Sequence, residues 1–193
     1  MACIGNKAPD FNCEAVIKKQ IKKVSLDDFK GKYKVVFFYP LDFTFVCPTE
    51  LHAFQDKLTE FEKRDTQVLG VSIDSVYSHL AWLNTPKNKG GVEGITYPLL
   101  SDIKKTVSTD YGVLDEEAGV ALRGLFILDK DNCIQSMTVN NLSLGRNVNE
   151  VIRTIDALQH VEKYGEVCPA NWNKGEKAMK PDVQGVDDYF TSE

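Results

Sequence analysis

The chain has 193 residues, enough for one sizeable core and somewhat more than a minimal domain needs. With 42% hydrophobic and 26% charged residues it has the composition of an ordinary globular protein, which excludes wholesale disorder. A formal net charge of -5 without a long Lys/Arg block argues against a general nucleic-acid binder.

Met1 to Gly5 has neither the charged lead nor the apolar core of a signal peptide, and no apolar run approaches membrane-spanning length. A cytoplasmic protein is therefore expected, and in that reducing compartment five cysteines do not imply a structural disulfide framework. Neither an internal repeat nor a low-complexity segment is found.

Ala8-Pro9-Asp10-Phe11 opens a short extended stretch, and Lys18, Lys19, Lys22 and Lys23 read as solvated turn or edge-strand residues. Val24 to Lys32 reads as a turn. The run Val35-Val36-Phe37-Phe38-Tyr39 has the length and the β-branched and aromatic content of a buried strand. Leu51, Phe54, Leu58 and Phe61 then recur at helical spacing and predict an amphipathic helix from about Pro48 to Arg64. A second buried strand spans Gln67 to Ile73, and Ser75 caps a helix that runs to about Asn84 and stops at Thr85-Pro86. Past a Lys- and Gly-rich loop, Tyr97 to Leu100 reads as a strand, Asp102 as the start of a short helix, and Tyr111 to Leu114 as extended. Gly124 to Leu128 and Ile134 to Val139 are joined by Asp129-Lys130-Asp131-Asn132 in a hairpin-like connection, followed by a helix from about Asn147 to Lys163. Strands interleaved with helices, plus a hairpin, predict an α/β layered fold with a mixed sheet. From Glu166 to Glu193 apolar periodicity fades and the chain reads as an appendage.

Chemistry concentrates in Pro40-Leu41-Asp42-Phe43-Thr44-Phe45-Val46-Cys47-Pro48-Thr49-Glu50, between the first buried strand and the helix behind it. Pro48 suits a first helical turn, so Cys47 falls at or beside the N-cap, with backbone N–H groups and the positive end of the helix dipole expected to face its sulfur. A helix terminus supplies about 0.3–1 kcal/mol, up to ~2 where partly buried. Making an ordinary thiol mostly ionised at neutral pH takes roughly 3 kcal/mol. Glu50 acts in the opposite direction, so a cation is required. Arg123, at the head of the apolar strand Gly124 to Leu128, is the best candidate, because an arginine there is costly to bury unpaired. Read alone, Thr44 is also a plausible turn hydroxyl, Pro40 a strand stop, Arg123 the partner of a structural carboxylate, and Cys47 and Cys168 inert thiols.

Pro40-x-x-x-Thr44-x-x-Cys47, extended by Phe43, Val46, Pro48, Thr49 and Glu50, resembles the active-site signature of peroxiredoxins. Ala8-Pro9-Asp10-Phe11, Ser72 to Ser75, His79 to Trp82, Asp110 to Leu114, Arg123 to Ile127 and Gly165 to Ala170 extend the resemblance to typical two-cysteine members over nearly the whole chain. The resemblance implies a thioredoxin-like α/β fold whose central mixed sheet is flanked by helices. It implies a peroxidase domain at 1–165 and a C-terminal tail at 166–193. It puts the peroxidatic cysteine on Cys47, the resolving cysteine on Cys168, other active-site positions on Pro40, Thr44 and Arg123, and a supporting one on Arg146, which could serve only to neutralise Glu50. The implied reaction is reduction of hydrogen peroxide or a small organic hydroperoxide through a cysteine sulfenic acid. An intersubunit disulfide follows, recycled by thioredoxin or a similar dithiol protein in a homodimer that assembles to a decameric ring. A holdase chaperone or peroxide-signal relay is the alternative, which Cys47→Ser would separate from peroxidase function.

No cofactor, metal, nucleic acid or membrane is implied, and Cys3, Cys13 and Cys133 read as packing or surface residues. Members sensitive to overoxidation combine a Gly-Gly-Leu-Gly loop with a C-terminal Tyr-Phe helix. Here Tyr189-Phe190 is present, but the loop reads Gly90-Gly91-Val92-Glu93-Gly94. Glu93 is expected to occupy a position that needs positive φ or close backbone approach, and so to weaken docking of the tail and give intermediate sensitivity.

Overall fold

The computed structural model describes residues 1–191 and divides into two compact units, Met1–Val148 and Asn149–Glu193.

In the first unit, strands β1 (Asn12–Ile17) and β2 (Gln20–Ser25) form a hairpin, with Lys18 and Lys19 at φ 48° and 65° in its two-residue turn. Two left-handed residues match the twist of paired strands, and the lysines keep the turn in water. β3 (Tyr33–Phe38) leads through the cysteine loop to α1 (Cys47–Asp56) and α2 (Leu58–Glu62). There follow β4 (Thr66–Ser72), α3 (Val76–Leu83), β5 (Leu99–Ser101), α4 (Thr106–Asp110), and the small pair β6 (Leu114–Asp115) and β7 (Val120–Ala121). β8 (Arg123–Leu128) and β9 (Ile134–Asn140) close the unit.

The main sheet has the order β2-β1-β5-β4-β3-β8-β9. β3, β4 and β5 run parallel, whereas β1 on β5, β8 on β3 and β9 on β8 are antiparallel, which is the expected mixed sheet. Every residue of β3 is buried, as a strand covered on both faces requires. Val36 and Phe38 join Leu69, Val71, Phe126 and Tyr111 in one core. On the opposite face Phe37 stacks on Phe54 with ring centroids 4.3 Å apart, which seats α1 on the sheet.

The structure departs from the sequence reading in several places. The helix expected over Pro48 to Arg64 breaks at Lys57 (φ -103°, ψ 6°) into α1 and α2. Lys18 and Lys19 lie in the β1–β2 turn and Lys22 and Lys23 on the edge strand β2, as the lysine reading expected, whereas the partner strand β1 gave no apolar pattern to mark the hairpin. Asp102 lies ahead of α4 and accepts hydrogen bonds from the backbone N–H groups of Val107 and Ser108. Tyr111 terminates α4 and Gly112 turns at φ 69°, leaving little of the expected extended segment. Glu93 is not among the positive-φ residues; those of its loop are Gly90 (76°) and Gly94 (94°). The close approach falls at Gly91, where a Cβ would lie 1.9 Å from the Thr85 carbonyl oxygen. Glu93 therefore takes no left-handed conformation, while its backbone N–H lies 3.3 Å from the same Thr85 carbonyl oxygen.

In the second unit, α5 (Val148–Tyr164, with Val148 ending the first unit) precedes a closed loop. Val167 and Met179 exchange backbone hydrogen bonds of 2.8 and 3.1 Å across its base, and Trp172 is buried within it. α6 (Val183–Thr191) follows. The segment read as lacking periodicity is thus a pinned loop and a helix.

Candidate active site

Cys47 is the first residue of α1, with Val46 at the N-cap and Pro48 in the first turn, and it is 0% exposed. β3 delivers the chain to this point and the Phe37–Phe54 stack holds the helix that leaves it. Thr44 Oγ1 lies 2.9 Å from Cys47 Sγ and 2.9 Å from the Leu41 carbonyl oxygen. Arg123 Nη1 lies 3.5 Å from the sulfur. The first-turn N–H groups of Thr49 and Glu50 donate to the Val46 carbonyl. Among the described residues, the donors placed on the sulfur are thus side chains rather than the backbone amides expected there.

Arg123 is 2% exposed and heads β8, beside β3. Its Nη1 also donates to Glu50 Oε2 at 2.5 Å and its Nε to the Leu142 carbonyl at 2.7 Å, so one planar fork holds sulfur, carboxylate and backbone together. Arg146 takes the other side of Glu50. Its Nε and backbone N–H reach Oε1 at 2.7 and 2.9 Å, its Nη2 reaches Oε2 at 2.9 Å, and its Nη1 reaches the Gly124 carbonyl at 2.6 Å. Burial pushes the Glu50 carboxyl up, but the hydrogen bonds and charge of Arg146, aided by Arg123, outweigh it and hold the group below its ordinary range. Glu50 therefore does not oppose a thiolate as a lone carboxylate would. Two guanidinium groups and one carboxylate leave the cluster one positive charge in excess, and an anionic sulfur brings it to neutrality.

Of the predicted site residues, Thr44, Cys47, Glu50, Arg123 and Arg146 come together in this cluster. Pro40 is buried two residues past the end of β3. Cys168 belongs to the second unit, where its Sγ lies 3.7 Å from the Ala157 carbonyl and burial raises its thiol, with Arg153 opposing and Glu166 reinforcing. Cys13 is pushed up to about 11 by burial and by Asp102, which makes it a poor nucleophile.

A second, buried network supports the loop that carries Thr44. The Asp42 N–H donates to Asp74 Oδ2 at 2.9 Å. The Asp42 carboxylate accepts from Tyr39 Oη (3.0 Å) and Ser78 Oγ (2.8 Å) and lies 2.8 Å from His79 Nδ1. Burial, with Asp42 beside it, pushes the Asp74 carboxyl up. These positions carry no spacing that would group them from sequence; the available signals are an acid inside an otherwise apolar loop and the place of Asp74 and His79 in two of the segments that carry the resemblance. Among the described residues no group of three His, Cys, Asp or Glu side chains is arranged to hold a metal, and no helix is long and apolar enough to cross a membrane.

A buried cysteine at a helix start, with a hydroxyl and a guanidinium on its sulfur and a mixed thioredoxin-like sheet behind it, defines a cysteine-based member of that fold class. The AhpC/TSA family model matches residues 4–137, and the chain belongs to that family, among the two-cysteine peroxiredoxins. A model of the C-terminal domain of 1-Cys peroxiredoxin matches residues 157–192, a stretch that here includes Cys168. A chloroplastic 2-Cys peroxiredoxin of Hordeum vulgare is 56% identical over 190 residues, covering 98% of this chain and 90% of its own. A thioredoxin peroxidase of Echinococcus granulosus is 49% identical, covering 99% of both chains. The crystal structure of reduced Plasmodium vivax 2-Cys peroxiredoxin superposes with a TM-score of 0.95 at 49% identity, over 97% of this chain and 98% of that one.

Proposed function

We propose that this chain is a thiol peroxidase that reduces hydrogen peroxide and small organic hydroperoxides with Cys47 as nucleophile. The observation that carries the reading is the placement of Thr44 Oγ1 and Arg123 Nη1 together on Cys47 Sγ, with Glu50 already neutralised. The Cys47 thiolate attacks the terminal peroxide oxygen. An S–O bond forms, the O–O bond breaks, and the leaving oxide takes up a proton to depart as water or an alcohol, leaving Cys47 sulfenic acid. Arg123 holds the anion and meets charge as it spreads along the breaking bond. Thr44 has one proton and two neighbours. It donates to the Leu41 carbonyl while the sulfur is a thiol and turns to the sulfur or the peroxide once the sulfur is anionic. Pro40 shields the sulfenate, and Glu50 and Arg146 fix the orientation of Arg123.

Cys168, carried by the tail at 166–193, condenses with the sulfenic acid, releasing water and forming a disulfide between subunits. Thioredoxin or a similar dithiol protein reduces it, a reading supported by the relative named thioredoxin peroxidase. β9 lies at an edge of the sheet with Met137 and Val139 exposed, which suits a homodimer. Phe45, 95% exposed in the active-site loop, suits contact between dimers in a decameric ring. Assembly is read by sedimentation of reduced and oxidised protein, and a cytoplasmic location by fractionation.

Stoichiometric peroxide should convert the monomer band on non-reducing electrophoresis to a dimer band that dithiothreitol reverses, and Cys47→Ser should abolish both this and peroxide consumption. Peroxide consumption that survives Cys47→Ser overturns the reading.

A further inference from the structure

The peptide unit that joins Leu41 to Asp42 sets the place of the Thr44 hydroxyl. Its carbonyl oxygen lies 2.9 Å from Thr44 Oγ1, which itself lies 2.9 Å from Cys47 Sγ, and its N–H donates to Asp74 Oδ2. Phe43, between Asp42 and Thr44, has φ 56°, a conformation that a bulky side chain adopts at a cost and keeps only while its neighbours are held. Where Thr44 puts its hydroxyl therefore depends on how firmly Asp42 is fixed.

Helix α3 fixes this loop at two positions, residues 79 and 82, which share a helical face. Trp82 meets the Phe43 ring with centroids 5.7 Å apart, and His79 meets Asp42. The His79 and Asp42 side chains are 0% and 1% exposed, so neither can exchange its partner for bulk water. His79 Nε2 lies 3.2 Å from the Leu100 carbonyl oxygen of β5. A carbonyl oxygen only accepts, so Nε2 carries hydrogen, and Nδ1 can stand 2.8 Å from Asp42 Oδ2 only with a proton between them. That proton ties ring to carboxyl whichever of the two it is bonded to, and the ring becomes a strut from the sheet to the loop.

We propose that His79 is a positioning residue for the peroxide step, holding Asp42, and through it the Leu41–Asp42 peptide, where the Thr44 hydroxyl meets the sulfur and the peroxide. This rests on the peroxidase reading above. Arg123 reaches the sulfur from β8, on the other side of β3, and does not depend on the strut. Two properties of Cys47 are therefore separable: how readily it ionises, set chiefly by Arg123, and how well a peroxide is oriented on it, set by Thr44.

The two ring nitrogens have different partners, so two amides distinguish them in the full chain. His79→Asn places an N–H where Nδ1 stands and keeps the donor to Asp42. His79→Gln places one where Nε2 stands, keeps the Leu100 carbonyl and loses Asp42. Stopped-flow mixing with hydrogen peroxide gives the rate of the first step, and iodoacetamide alkylation of Cys47 at pH 7 reports its ionised fraction with no peroxide to orient. His79→Gln should slow the peroxide step by about tenfold or more with alkylation within about threefold of native, and His79→Asn should stay within about threefold in both. With Thr44→Val as the background there is no hydroxyl to place, and His79→Gln should then cost less than about twofold. Equal slowing of both reactions, an unaltered peroxide rate, or an undiminished loss in the Thr44→Val background overturns the proposal. Should His79→Gln fail to fold by circular dichroism, Ser78→Ala removes another donor to Asp42 Oδ2 from the same helix, and the same contrast between peroxide and alkylation, at about threefold, decides the matter. Deuterium exchange at the Asp42 amide should be faster in His79→Gln than in His79→Asn, and equal exchange would overturn the strut. A native protein that consumes no peroxide would instead overturn the peroxidase reading, while this exchange would still report on the strut.

Discussion

Replacing Arg123 by alanine tests the electrostatic core of the proposed site. Arg123 Nη1 stands 3.5 Å from the sulfur. Two unit charges at that distance, in the effective dielectric of about 20 that suits protein sites, attract by ~5 kcal/mol. Water entering the vacated space and the remaining charge of Arg146 recover part of this, so ~3–4 kcal/mol of stabilisation should be lost from the thiolate and the transition state. That corresponds to a peroxide reaction slower by about two to three orders of magnitude. The fold should survive, because Glu50 retains three hydrogen bonds from Arg146. Arg123→Lys should recover only part of the rate, since an ammonium cannot hold the sulfur, Glu50 and the Leu142 carbonyl with one planar fork. Stopped-flow tryptophan fluorescence on mixing with hydrogen peroxide, alongside iodoacetamide alkylation at pH 7, reads both quantities, with circular dichroism as the check on folding. A folded Arg123→Ala protein that reacts at the native rate would show that Arg123 is purely structural.

Cys168→Ser should abolish the peroxide-dependent dimer band, and a disulfide confined to one chain, or made through Cys133, would refute the resolving assignment. Glu50→Gln leaves two buried guanidinium groups facing a neutral amide, and should cost about 3 kcal/mol of stability in urea denaturation at pH 6. Because the Glu50 carboxyl is held low in the folded chain, its contribution is complete above the ordinary glutamate value of about 4.3 and is lost as pH falls through the folded value. The native protein should therefore lose stability more steeply than Glu50→Gln below about pH 4, and parallel pH profiles would contradict the pairing. Deleting the chain from Asp187 onward removes most of α6 and the carbonyls that Lys177 holds. It should lower the sulfinic fraction of Cys47 seen by mass spectrometry over a series of peroxide concentrations, and an unchanged fraction would show that the tail does not gate the site.

The strand into the active-site loop and the helix out of it were legible because each is a local pattern: Val35 to Tyr39 is an unbroken apolar run, and Leu51, Phe54 and Phe61 keep helical spacing. The demand for a cation near Cys47 also followed from sequence, since a helix start alone is too weak to ionise a thiol. Arg123 met that demand because a charge at the head of an apolar strand needs a partner. The sequence also named Arg146 as a partner for Glu50, and the tertiary structure supplied the geometry by which Arg123 serves sulfur and carboxylate together. Arg123 reaches the sulfur across 76 residues and Arg146 reaches Glu50 across 96, separations that no helical or strand period connects. It also turned the first-turn amides to the Val46 carbonyl, broke the long helix at Lys57 and gathered Asp42, Asp74 and His79 beneath the loop. Periodicity records which face of an element avoids water. Which charged groups share a buried site depends on strand order, here β8 laid antiparallel against β3, and on the requirement that every buried charge find a partner.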